Sequence, residues 1–246
     1  MRAVPILLLL VSASCTPADR SPEPLAGGPF DLWIAGGTVV DGTGGPGARA
    51  DVLVRDGRIA FIGPLDAEAA AAIEAAERFD ATGLLVAPGF IDAHAHGAPL
   101  EDPAFHNFLA MGVTTVVLGQ DGGSPDAATL GEHLDAVDAA RPGVNIAYLV
   151  GHGTVRVESG VGFDDPGTEG LERMAGLVEL GLHAGAFGLS TGLEYDPGSR
   201  ADMAELVAIA VPVAAHDAIV VSHMRTEDAG QVEAALDELI EQGRQS

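Results

Sequence analysis

The chain has 246 residues, 47% of them hydrophobic, with 36 acidic against 12 basic side chains and a formal net charge of −24. That length and apolar content suffice for the core of one large domain, or of a domain with a smaller companion. A polyanion of this kind is repelled by nucleic acid and by anionic membrane surfaces, so neither is an expected partner, and a single cysteine, Cys15, excludes an internal disulfide.

The N-terminus, MRAVPILLLLVSASCTPADRSPEP, joins one positive charge, a short apolar run, small residues and a Pro-rich polar stretch. This predicts a secretory signal and linker over residues 1–29, and the apolar run is too short to span a bilayer. Cys15 follows Ser12, Ala13 and Ser14. The arrangement resembles a bacterial lipoprotein cleavage site, which makes Cys15 the expected lipid anchor, with ordinary signal cleavage as the alternative. Both place the protein outside the cytoplasm, in a bacterial periplasm or cell envelope.

From Asp31 to Gly63, alternating apolar residues are punctuated by Asp-Gly and Gly-Gly pairs, as in DLWIAGGTVV and ADVLVRDGRIAFIG. The pattern predicts the hairpins of a small β unit. Residues 66–77 are rich in Ala and Glu and have helical propensity, but no apolar stripe anchors them as a helix. Next comes LLVAPGFIDAHAHG, Leu84 to Gly97, an apolar run of strand length that ends in Asp92, His94 and His96. Side chains at i and i+2 of a strand share a face. The two imidazoles can therefore reach one metal, zinc or a similar ion, or simply pack and hydrogen-bond at a strand end.

Beyond residue 97, apolar strand segments at 113–118, 145–150, 186–189 and 219–222 alternate with amphipathic segments at 101–110, 127–140, 168–184 and 201–215. Ser199 with Asp202, and Asp228 with Gln231, have capping-box spacing before the last two helices, and Pro212 predicts a kink. Strand, helix and strand at this spacing give an α/β fold with a parallel sheet. Counting the histidine strand, five strands are each followed by a helix, whereas a closed eight-stranded barrel takes about 250 residues for itself. The chain reads either as a complete open sheet or as the first part of a longer barrel, and polar strand ends favour the barrel.

Those ends are GQDGGSP, GHGTVR, STGLEYDPG and SHMRTED, which deliver Asp121, His152, Glu194 and His223 to the edge where parallel α/β folds gather reactive groups. Singly, Asp121 reads as a turn residue, His152 as a turn cap or substrate contact, and Glu194 as a solvated acid. His223 resists such a reading, because a buried strand rarely ends in an unpartnered imidazole. Together, two histidines from one strand end, a carboxylate from another and a histidine from a third make a metal-ligand set. Such a site acidifies a bound water to a pKa of about 7 and polarises a carbonyl, which is hydrolytic chemistry. A bridging carboxylate would admit a second metal.

At these residues the chain resembles the amidohydrolase superfamily and, within it, the N-acyl-D-amino-acid deacylases, or D-aminoacylases. The matching stretches are DLWIAGGTVVDGTG, ADVLVRDGRIAFIG, DATGLLVAPGFIDAHAHG, GVTTVVLGQDGGSP, NIAYLVGHGTVR, GAFGLSTGLEYDPG and SHMRTED. The resemblance implies an incomplete TIM-like (β/α)8 barrel, about five of eight strand–helix units over residues 85–246, preceded by a small β-sandwich-type domain over 30–84. It also implies one or two zinc ions, with His94 and His96 at the more buried position and His223 at the other. Some relatives bridge the metals with a cysteine where this chain has Asp121, so the bridging role is expected of Glu194 first and Asp121 second. Tyr195, Arg225 and His152 match positions expected near the substrate, an N-acyl amino acid whose carboxylate would suit a guanidinium.

In the family a zinc-bound hydroxide attacks the amide carbonyl, an aspartate of the last barrel strand shuttles the proton, and a further histidine ligand comes from the sixth strand. Neither position occurs before Ser246. The expectation is therefore an N-terminal portion, with an incomplete site, of a zinc-dependent hydrolase that deacylates N-acyl-D-amino acids. The alternatives are a cyclic-amide hydrolase or dipeptidase of the same superfamily, and a non-catalytic cell-envelope protein that keeps the fold.

Overall fold

A computed structural model describes residues 28–246; the expected signal segment and Cys15 lie outside the described residues. The described residues divide into two compact units, one ending at Pro88 and one spanning Gly89–Ser246.

The first unit contains β1 (Phe30–Val39), β2 (Ala48–Arg55), β3 (Arg58–Gly63), α1 (Ala67–Ala72), β4 (Ala75–Asp80) and β5 (Leu85–Val86). Its sheet has the order β3-β2-β1-β4, with β5 also paired to β1. The β1–β2 and β2–β3 pairs are antiparallel, whereas β4 and β5 run parallel to β1. Asp56 and Gly57, with φ of 52° and 67°, form the tight turn that an Asp-Gly pair favours between antiparallel strands. In the Ala- and Glu-rich stretch, Asp66 caps α1 by accepting from the Ala69 N–H at 2.8 Å. No residue of α1 is buried, as its missing apolar stripe requires, and the chain returns to the sheet as β4. Leu53, Phe30, Ala35 and Val52 are buried in this sheet.

The second unit contains β6 (Phe90–Asp92), α2 (His106–Ala110), β7 (Val113–Leu118), α3 (Leu130–Ala140), β8 (Asn145–Tyr148), β9 (Val150–Gly151), α4 (His152–Glu158), α5 (Gly167–Ala184), β10 (Gly188–Gly192), α6 (Met203–Ala215), β11 (Ile219–His223) and α7 (Val232–Gln245). Two parallel sheets, β6-β7-β8 and β11-β10-β9, carry it. β8 and β9 are consecutive pieces of the strand expected at 145–150. They are parted at Leu149, whose N–H bonds the Leu118 carbonyl at 2.9 Å. The chain is thus an α/β fold in which parallel strands alternate with helices. Val116, Leu189, Met174, Val178, Leu206 and Ile209 are wholly buried between sheet and helices, each contributing about 1.5–3 kcal/mol by leaving water. Among the described residues no helix is long and apolar enough to cross a membrane.

Several local expectations are corrected. α2 covers only the end of the segment expected at 101–110, because Phe105 at its start takes a left-handed φ of 48°. Asp202, not Ser199, caps α6: its carboxylate accepts from the Glu205 N–H at 3.0 Å, while Ser199 donates its hydroxyl to Asp196. α7 starts without a side-chain cap, and the Asp228 N–H is bonded to Thr226 instead. α6 runs through Pro212 to Ala215, so the missing N–H falls in its last turn.

Candidate metal centre

The Asp121 loop is held on both sides. Gln120 donates its amide to the carbonyls of Ala93 at 2.9 Å and Val117 at 3.1 Å, and the Ala95 N–H bonds the Val117 carbonyl at 3.1 Å. The His-Ala-His segment is thereby laid along the end of β7. On the other side, the buried Ser190 hydroxyl of β10 donates to the Gly119 carbonyl at 2.5 Å and accepts from the Gly122 N–H at 3.1 Å. Between these anchors Asp121 takes a φ of 56°, a left-handed conformation that aspartate tolerates better than most residues. A Cβ on Gly192 would lie 2.1 Å from the Asp121 carbonyl oxygen, so the loop can reach β10 only over a glycine.

Three imidazoles converge on this carboxylate. His96 Nε2 lies 3.0 Å from Oδ2 of Asp121, His94 Nε2 lies 3.2 Å from Oδ1, and His223 Nδ1 lies 3.5 Å from Oδ1. Donor atoms of His94, His96 and Asp121 all fall within 4.8 Å of one another. Among the described residues Asp121 Oδ1 is buried without a hydrogen-bond partner, since neither nearby ring nitrogen is oriented to donate to it. A buried carboxylate oxygen left in this state needs an explanation. A divalent cation held between carboxylate and imidazoles supplies one, and the donor set suits zinc or a related first-row ion.

Glu194 meets the cluster from the far side. Its Oε2 lies 3.0 Å from His223 Nε2, and among the described residues it pairs with no other of these histidines. Asp121 faces all three, while Glu194, the acid expected first as the bridge, pairs among the described residues with His223 alone. Tyr195 also belongs here: its hydroxyl is 3.1 Å from His223 Nε2. Reduced contact with water, and then the Asp121, Glu194 and Glu227 carboxylates, push its phenol above the usual range, so it stays protonated and able to donate.

Two other expected substrate contacts are placed elsewhere. The His152 side chain is 0% exposed, with Nε2 at 2.7 Å from Glu205 Oε1. Arg156, equally buried, directs its guanidinium at both Glu205 oxygens and at the carbonyls of Gly162 and Asp164. Burial by itself raises the Glu205 carboxyl, but its bonds to His152 and Arg156 outweigh that and hold it below the usual glutamate range. His152 is thus part of an internal network, wholly shielded from solvent. Arg225 gives its donors to Glu238 and to the carbonyls of Ser199 and Ala201, which ties α7 to the loop before α6. Most of its N–H donors are thereby taken inside the chain.

Gln120, Ser190 and Glu205 escaped the sequence reading. The only signals were the polar letters inside GQDGG and GLSTG, and nothing local marks Glu205 as a partner of His152. Two cavities flank the Asp121 loop. One, of about 370 Å³, is lined by His96, Leu118, Gln120, Ser124, His133 and Tyr148. The other, of about 430 Å³, is lined by Asp121, Ser124, Thr154, Tyr195 and Asp196.

Residues 77–242 match the family described as the amidohydrolase family. An N-acyl-D-glutamate deacylase of Alcaligenes xylosoxydans xylosoxydans is 39% identical over 243 residues, which covers 88% of this chain and 48% of the relative. A D-aminoacylase of the same organism is 38% identical, covering 88% of this chain and 49% of its own length. The crystal structure of N-acyl-D-glutamate deacylase from Bordetella bronchiseptica, complexed with zinc and a phosphonate that mimics the tetrahedral intermediate, superposes with a TM-score of 0.79 at 39% identity, covering 88% of this chain and 49% of that one. The chain spans about half the length of the curated relatives it matches.

Proposed function

Because this chain belongs to the amidohydrolase family, we propose that the Asp121 cluster is the zinc centre of a hydrolase that cleaves N-acyl-D-amino acids to a D-amino acid and a carboxylate. The observation that carries the reading is Asp121 Oδ1, buried and unbonded among the described residues, beside nitrogens of His94 and His223. Zinc bound there would acidify a water to a pKa of about 7 and polarise the amide carbonyl. Asp121 holds the cluster together from its strained loop, while His94, His96 and His223 complete it from the ends of β6 and β11. Glu194 orients the His223 ring through its Nε2. The Tyr195 phenol, kept protonated by its surroundings, donates a hydrogen bond toward the substrate carbonyl. The cavities on either side of the Asp121 loop receive the acyl group and the amino-acid side chain.

The same reading extends to architecture and location. Alternation of parallel strands with helices, and ligands at the strand ends, support part of a TIM-like barrel in the second unit and a small β domain in the first. The apolar leader supports export, with Cys15 as a lipid anchor.

The chain spans about half the length of its relatives, so the test is made on the full-length protein: strip it with a chelator, reload it with zinc, and follow amine release from N-acetyl-D-glutamate and N-acetyl-L-glutamate. Release from the D form alone, lost on chelation and restored by zinc, is expected. Equal rates on both stereoisomers, or release that survives metal removal, would overturn the assignment.

A further inference from the structure

Outside the Asp121 cluster, α5 and α6 bring together a second group of metal-binding side chains. Glu179 and His183 stand four residues apart on α5 and so share one face of the helix. His216 follows α6 at its C-terminal end. His183 Nε2 lies 3.0 Å and His216 Nε2 lies 2.9 Å from the same carboxylate oxygen, Glu179 Oε1. The two rings meet edge to face, with centroids 4.8 Å apart at 83°, and donor atoms from all three residues fall within 4.8 Å of one another.

We propose that Glu179, His183 and His216 form a second site for zinc or a similar first-row divalent ion, which clamps α5 to α6. Two imidazoles and one carboxylate are a donor set that zinc accepts, and tetrahedral zinc at its usual bond lengths separates its ligand atoms by about 3.3 Å. The two nitrogen–oxygen separations are already within a few tenths of an ångström of that value. Side-chain exposures of 41% for Glu179, 66% for His183 and 28% for His216 leave the fourth position open to water. The alternative is that each imidazole donates its Nε2 hydrogen to Glu179, a surface contact without a cation. The proposal shares no residue with the Asp121 cluster and does not rest on the assigned hydrolase function.

Equilibrium dialysis of the metal-free chain against cobalt(II), whose absorption reports coordination by nitrogen and oxygen, separates these cases. Wild type, His183→Ala, Glu179→Ala and the double variant Asp121→Ala/His223→Ala are compared. His183→Ala and Glu179→Ala are each expected to take up one equivalent less than wild type, whereas Asp121→Ala/His223→Ala keeps that equivalent. Zinc is also expected to raise the melting temperature of wild type more than that of His183→Ala, since binding to the folded state alone stabilises it. Equal cobalt uptake by wild type and His183→Ala would overturn the proposal whatever the state of the Asp121 centre. His183 is mostly solvated, so its truncation leaves the helix packing in place.

Discussion

Glu205 and Asp121 each have an imidazole nitrogen within 3.2 Å, yet their surroundings differ in what neutralises the acid. Glu205 is buried with His152 and with the guanidinium of Arg156, which between them bond both of its oxygens, although His152 Nδ1 is itself buried without a partner among the described residues. Asp121 is ringed by imidazoles alone; among the described residues no lysine or arginine pairs with it, and one oxygen stays unbonded. Removing charges from water is costly unless the geometry repays it. The chain supplies the balancing cation for Glu205 and leaves the balance at Asp121 to an ion from solution. The same residue types thus build a brace in one place and a binding site in another, and the presence of arginine decides which.

Substitutions can sharpen or break this contrast. The largest effect is expected from Glu205→Ala, which strands Arg156 in the interior: about 3–5 kcal/mol of unfolding free energy should be lost, read by urea denaturation of the metal-free protein. Asp121→Ala should act mainly on the metal. Zinc affinity at that centre falls by at least about 100-fold, beyond what loss of an outer partner causes, while metal-free stability falls by no more than about 1–2 kcal/mol, the cost of alanine at a left-handed φ. If Asp121→Ala unfolded the metal-free chain as readily as Glu205→Ala, the two clusters would be alike and the contrast lost.

Ser190→Ala removes the hydroxyl that ties the Asp121 loop to β10 and leaves the Gly122 N–H and Gly119 carbonyl without it. About 1–3 kcal/mol should be lost, together with weaker zinc binding, measured by calorimetry. The smallest signal is in pH. The folded-state carboxyl of Glu205 is held below its unfolded value, so its contribution is fully present above about pH 4.3 and disappears as pH falls through the lower folded value. The stability gap between wild type and Glu205→Gln should therefore stay level from pH 7 to 5 and narrow only below about pH 4.3. A gap that narrowed near neutral pH would overturn this assignment to Glu205.

What could be read from sequence follows from how local each feature is. The apolar runs of β7 and β11 stand out in the text, and the polar end of β11 marks His223, whereas β10, GLSTG, starts two residues into the run expected at 186–189 and is buried through small and hydroxyl residues that no apolar pattern announces. The His-Ala-His spacing and Asp121 in GQDGG are equally local. The partners of His152 and Arg225, Glu205 and Glu238, come from helices elsewhere in the chain, so neither bond is legible locally. No spacing rule tells a ligand from a residue whose bonds are already taken. α4 was missed because GHGTVR, with its two glycines, reads as a turn, although burial of Val155 and Arg156 holds it helical.

The glycine at 192 also sets a limit on how this centre can change. With the Asp121 carbonyl oxygen 2.1 Å from where a side chain would begin, even alanine at 192 would push the loop away and spread the donors without altering any of them. Mutational drift or transplantation into another scaffold must therefore carry this silent position along with the histidines, and a protein that retains every donor but has lost that glycine should be expected to hold its metal poorly.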